Sequence, residues 1–106
     1  MRTFRLLIIA VCIFGAMAGA ANATIRVGVL GDGTSEFWTA LDAAMKEAAG
    51  EQEQEIEIDF RAPEPATAER QDELAREMIA AGAQALAVCP INPEEQTALL
   101  DELAAN

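Results

Sequence analysis

"IRVGVLGDGTSEFWTALDAAMKEAAG", residues 25–50, decides the fold, because its hydropathy pattern changes once, at a glycine-rich turn. With Thr24 in front, the first part is a short β-rich run, and "GDGTS" at 31–35 carries turn chemistry. From Glu36 onward Phe37, Leu41, Ala44, Met45 and Ala48 recur at helical spacing, with Gly50 as the expected stop. Strand, turn and amphipathic helix make one βα unit.

The alternation then repeats. After "EQEQ", the stretch "EIEIDF" at 55–60 alternates Ile56, Ile58 and Phe60 with acids, the period of a strand with one wet face. Pro63 and Pro65 mark a loop, and residues 67–82 place Ala68, Gln71, Leu74, Ala75, Met78 and Ile79 on one helical face, with an Asp72 to Arg76 pair expected opposite. "AQALAVC" at 83–89 is a continuous apolar strand candidate, with Cys89 read as a small buried hydrophobe. A third helix follows, with Asn92 as N-cap, Pro93 at its first position and Glu94 and Glu95 at its positive end. The fold class is therefore α/β: a parallel three-stranded βαβαβα unit of doubly wound type. The acids of "EIEIDF" suit an edge, whereas the first and third strands read as covered on both faces, which predicts the order 2-1-3.

The first 23 residues stand apart from this pattern. Arg2 and Arg5, the apolar run from Leu6 to Phe14 and the small residues Ala21, Asn22 and Ala23 have the layout of a secretory signal cleaved before Thr24. The apolar run, ending near Ala21, is shorter than the roughly 20 residues of a spanning helix, so a membrane anchor is the weaker reading. Val11 before Cys12 argues against a lipoprotein. Cleavage would leave residues 24–106 as one small domain, with Cys89 as the single thiol and no intrachain disulfide. It would also leave five basic residues against all 18 acids, a charge near −13. Such a surface repels nucleic acid and anionic membranes. The chain has no histidine, which removes Ser-His-acid and Cys-His catalysis and histidine metal sites. No cofactor, metal site or catalytic residue is expected.

Function is sought at the carboxyl ends of the strands, where open parallel sheets bind ligands. Two loops lie there, "GDGTSEFW" and "PINPEE". Glu36 stands where a dinucleotide fingerprint has its third glycine, and a carboxylate repels pyrophosphate, so a phosphate cradle is disfavoured. Phe37 and Trp38, adjacent on a helix, point about 100° apart. One can pack inward while the other lies over a cleft and offers its face to a sugar ring, with Glu36 accepting hydroxyl hydrogen bonds. Core packing of both aromatics, and plain capping by Asn92, are the alternatives.

Taken together, "IRVGVLGDGTSEFWTALDAAMKEAAGE", the acidic strand and "MIAAGAQALAVCPINPEE" resemble the start of type I periplasmic substrate-binding proteins, the ribose-binding-like group that serves sugar ABC importers. The likeness covers essentially all of residues 24–106. It implies that Phe37 and Trp38 correspond to aromatics that stack on sugar, with Ser35 or Glu36 adding polar contacts, and that Pro90-Ile91-Asn92-Pro93 corresponds to the family's "SPNDP"-like loop. Glu36 departs from the proline common there. The resemblance further implies a periplasmic location, a permease partner and a two-lobed whole, of which residues 24–106 would be part of the first lobe. The competing expectations are a ligand-presenting sensor for a membrane receptor and a flavodoxin-type or Rossmann-type enzyme fragment. A cytosolic repressor of the same fold is argued against by the signal-like start.

Overall fold

A computed structural model describes residues 23–106; all of the signal-like segment except Ala23 lies outside the described residues. The elements are β1 (Ile25–Leu30), α1 (Glu36–Gly50), β2 (Ile56–Arg61), α2 (Ala68–Ala80), β3 (Ala85–Val88) and α3 (Pro93–Ala105). All strand pairs are parallel and the order is β2-β1-β3. Ile25 stands opposite Ile56, and Leu30 lies between Arg61 on one side and Val88 on the other. Right-handed crossovers from a central β1 place α1 on one face of the sheet and α2 with α3 on the other.

The core sits on the α2 and α3 face. Leu30, Leu74, Ala75 and Met78 form its buried centre, with Leu86, Val88 and Leu103 packed around them. Gly28 brings the sheet close to α2: a Cβ there would stand 2.9 Å from both Met78 Cε and Leu86 Cδ1. The opposite face is thinner. α1 buries none of its residues fully; its apolar stripe covers mainly β2, with Met45 and Ala48 beside Ile56 and Ile58. Ile79, expected on the core face of α2, is partly exposed at 37%.

The helix ends follow local chemistry closely. Thr67 accepts from Arg70 N–H and Asn92 from Glu95 N–H, so each caps its own helix. α1 ends at Gly50 as expected, and Glu51 caps it in the right-handed region, so the stop uses no left-handed glycine. Gly82 is the glycine that the backbone requires. Its φ is +102°, its N–H bonds Ile79 O and the next N–H, of Ala83, bonds Met78 O, a Schellman closure of α2. Gly82→Ala is therefore expected to cost roughly 1 kcal/mol, read as a lower denaturation midpoint with an unchanged slope; an unaltered midpoint would show that this turn relaxes freely.

Two side-chain expectations are corrected. Asp72 and Arg76 do not pair: Asp72 accepts from Gln96, and Arg76 reaches Glu102 at 3.8 Å, because α3 offers both a nearer partner. β3 is not covered on both faces. Ala85 and Ala87 are exposed, Leu86 and Val88 half-buried, since α1 lies over β2 and, among the described residues, the strand has β1 as its one neighbour. Beside it runs an apolar groove of about 700 Å³ bordered by Ile79, Leu86, Leu100 and Leu103. The β2 edge is charged instead. Glu57 pairs with Arg26 at 3.7 Å, and Arg61 pairs with Asp59 at 3.0 Å and Glu77 at 3.5 Å. The Asp59 hydrogen bond, partly offset by burial, raises the Arg61 guanidinium pKa.

Candidate functional site

The two loops at the carboxyl ends of β1 and β3 meet over the sheet, and the first is shaped by an aromatic stack. Trp38 lies against Phe60 of β2, ring centroids 5.8 Å apart and planes at 27°. Both rings press on Gly31, where a Cβ would come within 3.0 Å of Trp38 Cδ2 and 3.3 Å of Phe60 Cζ. Trp38 Nε1–H donates to Asp32 Oδ1 at 2.8 Å, fixing the edge of the indole. Gly31 is thus a steric requirement of the stack. Gly33 is under no such pressure, its nearest neighbour being Ala66 Cβ at 3.9 Å.

Of the adjacent aromatics, Trp38 packs inward and Phe37 turns outward. Phe37 meets Trp38 edge to face at 5.2 Å and 76°, and remains 65% exposed. Ser35 is the N-cap residue of α1 in extended conformation, but its side chain makes no capping bond. Glu36 is exposed in the first turn of the helix. These four residues, proposed from sequence, are consecutive at the start of α1, with Ser35, Glu36 and Phe37 exposed and Trp38 half-buried. Asn92 stands on the other loop and is engaged as a cap: its Oδ1 accepts from Glu95 N–H at 3.3 Å, and its own N–H donates to Gln96 Oε1 at 2.8 Å.

Cys89 is corrected from buried to exposed. β3 ends at Val88, which puts Cys89 on the exit loop with its Sγ 3.9 Å from Asp32 Oδ2. Asp32 thereby touches both loops, a position that its sequence context as a turn residue did not reveal.

Beneath the rim lies a buried amide network. Gln71, 1% exposed, donates through Nε2 to Gly31 O at 2.9 Å and Cys89 O at 2.8 Å, and accepts at Oε1 from Ile91 N–H at 3.0 Å. Gln96, also 1% exposed, donates to Gln71 Oε1 and Asp72 Oδ1, both at 2.9 Å. The helical spacing of α2 placed Gln71 on the inner face without giving it a role. The available signal was an amide among Leu74, Ala75 and Met78, since a polar group at a core position needs partners.

These features define a class: a parallel α/β unit with an aromatic-lipped, carboxylate-bearing surface at the strand ends. A comparison with known proteins finds no family model and no curated protein that matches the chain. Among the described residues no group of three or more cysteine and acidic side chains is gathered as metal ligands, and no helix is long and apolar enough to cross a membrane.

Proposed function

We propose that the chain is the first-lobe portion of a periplasmic solute-binding protein that captures a sugar or similar small polar solute without chemistry and delivers it to an ABC importer's permease. The observation that carries this reading is Phe37, a large apolar ring left 65% exposed and braced edge-on by Trp38 at the carboxyl end of the central strand. Exposing such a ring forfeits burial, and its place beside hydroxyl-accepting groups suits a sugar's C–H face. In this role Phe37 stacks on the ring, Trp38 supports it, Glu36 and Ser35 accept or share hydroxyl hydrogen bonds, and Asn92 closes the rim from the other loop. The loop at 31–38 holds two carboxylates, Asp32 and Glu36, and no cation, so an anionic solute is repelled.

The test is calorimetric titration of the chain with a panel of neutral pentoses and hexoses. A sugar that binds is expected to lose about tenfold in affinity with Phe37→Ala, the equivalent of one aromatic contact of about 1.4 kcal/mol, while stability stays within about 0.5 kcal/mol. Sugar binding indifferent to Phe37 would remove the reading, and no binding across the panel would remove this portion as a site on its own.

A further inference from the structure

We propose that Gln71 is the positioning residue of this surface: one buried amide sets the exit loops of β1 and β3 in a single relative geometry, so that the rim responds as one body. The inference rests on the binding reading only for what the positioning serves. The coupling itself is a property of the loops.

The geometry is specific to a primary amide. Two donors point at carbonyls on different loops, Gly31 O and Cys89 O, and the single acceptor holds Ile91 N–H on the second loop. No other natural side chain of that length offers two donors and an acceptor on one planar group. Gln96 then fixes which way the amide faces, because its Nε2–H occupies Gln71 Oε1 while its own oxygen holds Asn92 N–H. Gly31 is the residue on which Trp38 rests, and Ile91 and Asn92 begin the loop that caps α3. A displacement of either loop must therefore stretch a bond to Gln71. Burial at 1% exposure keeps water from substituting for the lost partner.

A residue that merely filled the core would be replaced without consequence for the loops by Gln71→Met, which keeps length and volume. The positioning role predicts otherwise. Trp38 is the sole tryptophan, so its fluorescence reports the β1 loop; amide hydrogen exchange at Ile91 and Asn92 reports the β3 loop. In the full chain without ligand, Gln71→Met is expected to keep its far-ultraviolet circular dichroism, shift Trp38 emission to the red with greater acrylamide quenching, and lose protection at Ile91. Gln96→Met is expected to lose protection at Asn92 and to move Trp38 emission in the same direction, although Gln96 makes no hydrogen bond to residues 31–38. A folded Gln71→Met with unchanged emission would overturn the proposal. Should that variant fail to fold, the unsubstituted chain decides: protection at Ile91 and Asn92 far above that of exposed Thr34 supports it, and equal exchange overturns it. Because every readout is taken without sugar, failure here leaves the sugar titration standing, and failure of the titration leaves loop coupling intact.

Discussion

Met78→Ala is expected to lower the stability of the fold by about 3 kcal/mol, among the largest effects of any single truncation. Met78 is fully buried, and it is the side chain that fills the space opposite Gly28 and beside Leu86. The buried apolar set among the described residues is small: Val29, Leu30, Leu74, Ala75, Met78 and Leu99. A domain of this size stands at the low end of the usual range of roughly 5 to 15 kcal/mol, so such a loss populates the unfolded state measurably at room temperature. Denaturant titration checks it, with Met45→Ala on the thin α1 face as the comparison at under about 1 kcal/mol. Equal losses for the two would show that the core is not concentrated on the α2 face.

Trp38→Ala is expected to combine two effects that Phe37→Ala separates. It removes the ring that stacks on Phe60 and the donor to Asp32, for a stability loss of about 2 kcal/mol. It also takes away the brace behind Phe37, so any sugar affinity should fall by more than the roughly tenfold of Phe37→Ala. Trp38→Phe restores the stack without the Asp32 bond and should recover most of the stability. If Trp38→Ala binds as well as the parent while remaining folded, the aromatic rim is not the binding surface.

How far this was legible in the sequence differs element by element. "IRVGVL" and "EIEIDF" announced their strands and order because burial on two faces and on one face leave different residue patterns, and Asn92 announced the start of α3 through a backbone donor that needs a partner, with Pro93 following where no donor is needed. α1 was legible as a helix but not in its depth of burial. Its stripe of Phe37, Leu41, Ala44, Met45 and Ala48 has helical periodicity, but periodicity states which side of a helix is apolar and not how much sheet lies beneath it. Cys89 misled because composition alone does not say where an apolar strand stops. The rim residues 35–38 were readable as a candidate group, since position at a strand end follows from topology. Gln71, Gln96 and Asp32 were not, because their roles rest on partners remote in the chain, Gly31 O for Gln71, the Gln71 amide for Gln96 and Cys89 Sγ for Asp32, 40, 25 and 57 residues away, and such partners are set by the fold rather than by neighbours in the chain.

The unlike edges of the sheet give it a direction of growth. On the β2 side Glu57, Asp59 and their arginines make a charged wall; on the β3 side Ala85 to Val88 present bare backbone between apolar flanks. A strand that joins, whatever its source, is steered to β3, and its own exit loop then falls beyond Asn92. The mouth can thus be widened from its Asn92 side, while the aromatic lip at Phe37 stays fixed as the inner boundary from which every added loop is measured.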